Sequence, residues 1–168
     1  MKVTAIIQAR MGSTRLPGKV MKHLTGKTVL QHVIDRVASA RLLDEVIVAT
    51  TISPQDDIIV TEAQKAGAKI FRGSEDDVLA RYYHAAKTYK AEIIVRVTSD
   101  CPLFDPQILD EMLGIFLKEN ANGFNLDYMS NSLQPTFPRG LDAEIFTMRV
   151  LTKTFHEADK DYEREHVT

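Results

Sequence analysis

The 168-residue sequence predicts an α/β fold with a mostly parallel sheet. Three observations predict it. Apolar, β-branched runs of strand length recur along the chain, each is followed by a segment with helical apolar spacing, and three such pairs succeed one another before residue 100. Consecutive β-α units of this kind require right-handed crossovers and helices packed on a layered sheet.

Residues 3–9 form the first expected strand, a continuous apolar run suited to burial on both faces. Residues 45–51 (EVIVATT) and 92–98 (EIIVRVT) repeat its character, and residues 68–71 are a shorter candidate. Between them, Val29, Val33, Ile34 and Val37 recur at helical spacing behind Thr28, a natural cap. Ile58, Ile59, Ala63 and Ala66 follow the start signal Ser53-Pro54, and Val78, Leu79, Tyr82, Tyr83 and Ala86 follow Ser74 as the expected cap. Beyond Pro106 a helix fits residues 108–117. Residues 124–129 and 143–146 are expected as late strands, with an extended loop over 130–139, where two prolines stand.

Composition narrows the class of function. With 44% apolar residues the chain can bury a core, and its length implies one domain, residues 1–168. A formal charge of -2 gives no general attraction to nucleic acid or to an anionic membrane. No run is long enough for a signal-peptide core or a membrane span, and a lone cysteine, Cys101, fits a reducing compartment, so a cytoplasmic location is expected. The charge is unevenly placed: residues 1–28 carry +6 with no acidic residue, and the remainder carries -8.

That positive charge gathers where the fold places function. In open α/β sheets, ligands bind beyond the carboxyl ends of the strands, and residues 10–20 (RMGSTRLPGKV) follow the first strand directly. Gly12 and Gly18 permit close backbone approach or positive φ, Pro17 stiffens the turn, and Arg15 and Lys19 can converge on one anion, for which a triphosphate is the natural occupant. A solvated basic loop with glycines as turn formers explains the same residue types equally well. The Walker pattern fails, because five residues rather than four separate Gly12 from Gly18 and Val20 replaces the hydroxyl. In Gly26-Lys27-Thr28 the first glycine is replaced by Met21, and the dinucleotide glycine fingerprint is missing as well.

The stretch "QARMGSTRLPGKVMKHLTGKTVLQHVIDRV", with "FRGSEDDVLARYY", "VRVTSDCPLFDP", "RGLDAEIF" and "EREHVT", resembles the spore coat polysaccharide biosynthesis protein F family, cytidylyltransferases related to the CMP-Kdo and CMP-sialic acid synthetases. The resemblance spans essentially the whole chain. It implies a nucleotide-diphospho-sugar transferase-like three-layer α/β/α sandwich with a mixed, mostly parallel sheet, and CTP lying across the first loop. Ala9, Arg10, Met11, Gly12, Ser13, Arg15 and Lys19 would contact nucleotide, with the backbone of 11–13 positioning the triphosphate. Members of that family continue for several elements past "EREHVT", so the resemblance implies a chain truncated at its carboxyl end.

Asp100, at the end of the third strong strand, is a candidate ligand for Mg²⁺, a hard cation usually held by one or two carboxylates and substrate phosphates. Taken alone, capping of the turn before Pro102 explains it better; the resemblance reverses that order and gives Asp100 the metal and, with Arg15 and Lys19, a catalytic role. Asp142 and Glu144 alternate in "RGLDAEIF" and would share one strand face, so Asp142 is a second metal candidate, against a half-solvated strand face. Arg72, Asp76 and Arg81 would help define the nucleotide pocket, while an i, i+4 pair between Asp77 and Arg81 explains part of that group as well. The five histidines show no ligand spacing, and His166 receives no role.

The expected function is transfer of CMP from CTP to a sugar, an acidic keto-sugar or a sugar phosphate, with Mg²⁺ as cofactor, release of pyrophosphate and a place in surface or spore-coat polysaccharide biosynthesis. CTP and a sugar acceptor are the expected partners, without nucleic acid or membrane, and a homodimer is left open. A nucleotide-binding module without turnover is the alternative, and a glycosyltransferase on the same general fold ranks last.

Overall fold

The computed structural model describes residues 1–13, 15–134 and 137–168. Position 14, in the basic loop, and positions 135 and 136, in the expected loop over 130–139, lie outside the described residues.

Strand β1 (Val3–Gln8) is followed by a 3-10 turn at Lys19–Met21 and a small hairpin of β2 (His23–Leu24) and β3 (Lys27–Thr28). Helix α1 (Val29–Ala38) starts at the expected cap, where Thr28 Oγ1 accepts the Gln31 N–H at 3.0 Å. Then come β4 (Glu45–Thr51), a 3-10 turn at Pro54–Asp56, α2 (Asp57–Lys65), β5 (Lys69–Gly73), α3 (Val78–Thr88) and β6 (Ile93–Thr98). The remainder is α4 (Pro106–Ala121), β7 (Tyr128–Ser130), β8 (Glu144–Thr147), α5 (Met148–Glu157) and α6 (Asp161–His166).

The main sheet runs in the order β5-β4-β1-β6-β8-β7. Its first three junctions are parallel and its last two antiparallel. Strand residues alternate between two cores, as a two-residue side-chain period requires. Ala5, Ile7, Val48 and Val95 pack with α1, α2 and α4, whereas Ile6, Ile47, Ala49 and Ile94 pack with α3 and α5. This is the three-layer sandwich with a mixed, mostly parallel sheet.

Several local expectations are corrected. The cap of α3 is Asp77, whose Oδ1 accepts the Ala80 N–H at 2.8 Å; Ser74 acts one turn earlier by accepting the Asp77 N–H at 3.1 Å. The late strand expected over 124–129 begins only at Tyr128, because Gly123 and Asn125 adopt φ of 88° and 51° and interrupt an extended chain. Strand β8 begins at Glu144, so Asp142 lies in the preceding connection rather than beside Glu144 on one strand face.

The chain order positions the site. From β1 the sheet grows outward through β4 to β5 on one side, and the chain then crosses on α3 to place β6 on the other side of β1. Strand order therefore reverses between β1 and β6, and the crevice at the carboxyl ends of these two strands is where such sheets bind ligands. The basic loop leaves one of those ends and Thr98-Ser99-Asp100 leaves the other.

Candidate functional site

The basic loop is folded back on Met11. The Met11 carbonyl accepts the Ser13 N–H at 2.8 Å and the Gly18 N–H at 3.2 Å, a closure that requires Gly18 at a left-handed φ of 65°. Asp56, fully buried, anchors the loop from below: its Oδ1 accepts the Met11 N–H at 2.8 Å and its Oδ2 accepts the Thr51 hydroxyl at 2.5 Å. The N–H groups of Met11 and Ser13 are thus spent inside the protein. Of the expected triphosphate cradle over 11–13, Gly12 stands apart from these bonds, and it sits where a Cβ would lie 3.0 Å from Glu75 Oε1.

Across the crevice, Lys19 Nζ donates to Asp100 Oδ2 at 2.5 Å. Burial pushes the Asp100 carboxyl up, but the Lys19 hydrogen bond and charge outweigh it, so Asp100 is held below the ordinary carboxylate range. Burial also pushes the neighbouring Cys101 thiol up, and the Asp100 and Asp142 charges add to the rise. Both members of the Lys19–Asp100 pair border an open cavity of about 900 Å³. Arg15 borders it too, so the two cationic heads and the strand-end carboxylate occupy one space.

The opposite wall is built from α3 and α6. Arg81, 2% exposed, donates from Nη1 to the Ser74 carbonyl at 2.8 Å and has no carboxylate partner among the described residues. Burial lowers the pKa of its guanidinium. The Asp56 and Glu75 charges partly offset that burial without pairing with the guanidinium. Arg164 of α6 grips Asp77 Oδ2 from Nε at 2.8 Å and from Nη2 at 2.7 Å, fastening α6 to the start of α3. Through this clasp the "EREHVT" segment reaches the cavity, and His166 borders it.

Most of the residues singled out in the sequence come together here. Ala9, Arg10, Gly12, Ser13, Arg15 and Lys19 border the cavity from the loop after β1, Asp76 and Arg81 from the region of α3, and Asp100 from the turn after β6. Met11, Arg72 and Asp142 do not border it. Met11 packs against the core. Arg72 donates to the carbonyls of Thr51 at 2.8 Å and Ser53 at 2.9 Å and pairs with Asp57 at 2.7 Å, so it ties β5 to the start of α2 instead of facing a nucleotide. Asp142 is exposed and accepts the Gly140 N–H at 3.1 Å. The expected Asp77–Arg81 side-chain pair is replaced by Asp77–Arg164.

Sequence reasoning missed Gln8, Asp56, Arg96 and Arg164. A signal existed for Arg96, a charge inside the apolar run EIIVRVT, where burial demands a reason. Arg96 pairs with Glu144 at 2.6 Å. Gln8 and Asp56 carry no pattern of their own.

Among the described residues no group of three or more His, Cys, Asp or Glu side chains could by itself hold a metal ion. The triplet Asp159-Lys160-Asp161 has D-x-D spacing, but it opens α6 and brings only Asp161 to the cavity. Asp100 alone, facing open space that substrate phosphates and water can enter, is nevertheless the kind of donor set that Mg²⁺ accepts. Among the described residues no helix is long and apolar enough to cross a membrane.

Comparison with known proteins accords with this geometry. An uncharacterised protein of Methanocaldococcus jannaschii is 41% identical over 168 residues, covering 100% of this chain and 66% of the relative. The spore coat polysaccharide biosynthesis protein SpsF of Bacillus subtilis is 35% identical, covering 97% of this chain and 67% of the relative. The chain thus spans about two thirds of the length of these relatives. A solved cytidylyltransferase from Leptospira borgpetersenii superposes with a TM-score of 0.94 at 45% identity, over 99% of this chain and 69% of its own. The cytidylyltransferase family model matches residues 4–168, and a match of that extent places the chain in the cytidylyltransferase family.

Proposed function

We propose that the cavity binds CTP and a sugar and transfers CMP to the sugar with release of pyrophosphate. One observation carries this reading: Arg15, Lys19 and Asp100 border a single cavity at the β1/β6 reversal. A triphosphate needs convergent cations, and a polarised end of the sheet needs a ligand of its size. The choice of CTP over other triphosphates rests on the family, and SpsF, named for spore coat polysaccharide biosynthesis, supports a sugar as the acceptor.

Chemically, a sugar hydroxyl oxygen attacks the α-phosphorus of CTP in line. A new P–O bond forms, the bond to the β-phosphate bridging oxygen breaks, pyrophosphate departs with that electron pair, and the hydroxyl proton passes to water. Lys19 and Arg15 neutralise the triphosphate and the charge that develops on the leaving group. Arg81, buried and unpaired by any described carboxylate, attracts the nucleotide phosphates into the crevice. Asp56 keeps the loop folded so that these groups are aligned before substrate arrives. Asp100 would hold Mg²⁺ beside the phosphates, and the ion, when bound, would supply charge neutralisation at the phosphate oxygens. Lys19 would then exchange its carboxylate partner for phosphate.

The test pairs calorimetric titration of CTP, with and without Mg²⁺, with a pyrophosphate-release assay over a panel of sugar acids and sugar phosphates. Binding together with acceptor-dependent pyrophosphate release is expected. Binding without release from any acceptor would leave a nucleotide-binding module, and no CTP binding would remove the proposal.

A further inference from the structure

Gly12 is not required by its backbone angle, since it stands outside the set of glycines at positive φ. The space beside it is what matters. A Cβ built on Gly12 would lie 3.0 Å from Glu75 Oε1 and 3.8 Å from Gln55 Nε2, so the bare side of this residue is filled by a carboxylate and an amide. Three strand-end connections meet there: the loop after β1, the turn after β4 and the turn after β5.

Glu75 also faces the cations of that corner. Its Oε1 stands 3.7 Å from Arg10 Nη1, and the two side chains are 38% and 43% exposed, respectively. An ion pair this long and this open to water is readily exchanged for a better anion. Arg81 feels the same carboxylate: burial lowers its pKa and the Arg10 charge lowers it further, whereas the Asp56 and Glu75 charges raise it. Glu75 thus supplies negative charge to two arginines that repel one another. Its backbone is firm and its head is loose. Ser74, the residue before it, accepts the Asp77 N–H on its hydroxyl at 3.1 Å and Arg81 Nη1 on its carbonyl at 2.8 Å, which holds the turn while the Glu75 side chain can rotate. Arg10, Gly12, Glu75 and Arg81 all border the cavity.

We infer that Glu75 is an internal stand-in for phosphate: in the free protein its carboxylate occupies the anion seat formed by Arg10 and the bare side of Gly12, and an incoming polyphosphate displaces it. The inference rests on the cavity being the nucleotide site proposed above. A carboxylate and a phosphate present the same kind of acceptor oxygens to a guanidinium, and one seat takes only one of them. Displacement needs a side-chain rotation alone, with no movement of the sheet or of the basic loop. A seat that is filled part of the time lowers the apparent affinity of every anion that uses it, so Glu75 weakens capture of the triphosphate and speeds departure of pyrophosphate alike. Asp100 is a different case, because it would keep a task beside the phosphates once they arrive, whereas Glu75 would have none.

The test is calorimetric titration of sodium tripolyphosphate and of CTP, in EDTA so that no metal contributes, into the parent protein, Glu75→Gln, Glu75→Ala and Glu165→Gln. Glu165 borders the same cavity from α6 and controls for general repulsion. In both Glu75 variants the dissociation constant for tripolyphosphate should fall about fivefold, the scale of one contact between unit charges in water. In Glu165→Gln it should change by less than about twofold, because an exposed charge away from the seat is screened. An unchanged or larger dissociation constant in both Glu75 variants overturns the inference; so does an equal gain in Glu165→Gln, or no tripolyphosphate binding to any of the proteins. A melting temperature many degrees lower in both Glu75 variants would show that the residue braces the fold, and overturns it as well. The two readings fail separately. A Glu75 effect on tripolyphosphate without any binding of CTP removes the transfer reading and leaves the inference, whereas CTP binding that is indifferent to Glu75 removes the inference alone.

Discussion

Lys19 Nζ and Asp100 Oδ2 meet at 2.5 Å although 81 residues separate them in sequence. Both side chains are partly open to solvent, at 29% and 39%, so the pair contributes little to stability. We expect Lys19→Ala and Asp100→Ala each to reduce pyrophosphate release about a hundredfold or more, the scale of losing one transition-state contact. Melting temperatures should stay within a few degrees of the parent protein. Steady-state kinetics and a thermal melt check this, and full turnover in both variants would refute the assignment.

Asp56 joins the loop to the sheet and is fully buried. Asp56→Ala strands the Met11 N–H and the Thr51 hydroxyl, so a loss of about 3 kcal/mol in urea denaturation is expected from two buried groups without partners. The same variant should raise KM for CTP, because the loop that carries Arg15 and Lys19 loses its anchor.

Asp110 accepts the backbone N–H groups of Arg41 at 3.1 Å and Leu42 at 3.0 Å, tying α4 to the end of the α1 segment. Burial pushes its carboxyl up, but these backbone donors and Arg41 prevail and hold it below the ordinary range. A depressed folded pKa means that the stabilisation is complete above the unfolded value, about 3.9 for an aspartate, and is lost as pH falls through the lower folded value. Asp110→Asn should therefore be less stable than the parent at neutral pH and lose less on acidification through that window. Equilibrium denaturation at a series of pH values measures it.

Helix α6 has six residues, none of them buried, and depends on the Arg164–Asp77 clasp. In Arg164→Met, amide exchange over 161–166 should quicken at least tenfold while β1 and β6 keep their protection. Uniform acceleration along the chain would show that the clasp stabilises the whole fold instead.

The first hundred residues were legible because local and global signals agree there. The runs 3–9, 45–51 and 92–98 are apolar on both faces, as strands between two helical layers must be, and each became a strand within one residue of the expected ends. That the basic loop and Asp100 would face one space was legible for the same reason, since strand ends on a parallel sheet fall at one edge. The last third obeyed weaker signals. Strand β7 has three residues at the sheet edge, and α5 follows β8 without a turn, its cap Thr147 being the final strand residue. Arg72 misled because a guanidinium beside a strand end serves backbone carbonyls as readily as phosphate. Asp56 carries its meaning only in three dimensions, through a partner 45 residues away.

The reversal of strand order between β1 and β6 also bears on how the protein comes into being. The two halves of the cavity floor are made some ninety residues apart and meet only through parallel pairing of β1 with β6, a non-local event that closes late and slowly. A chain emerging from the ribosome therefore has its basic loop exposed well before the opposing carboxylate exists. Under the proposed function, nucleotide capture would report completed assembly, because half-made protein holds the cations but has no crevice between β1 and β6.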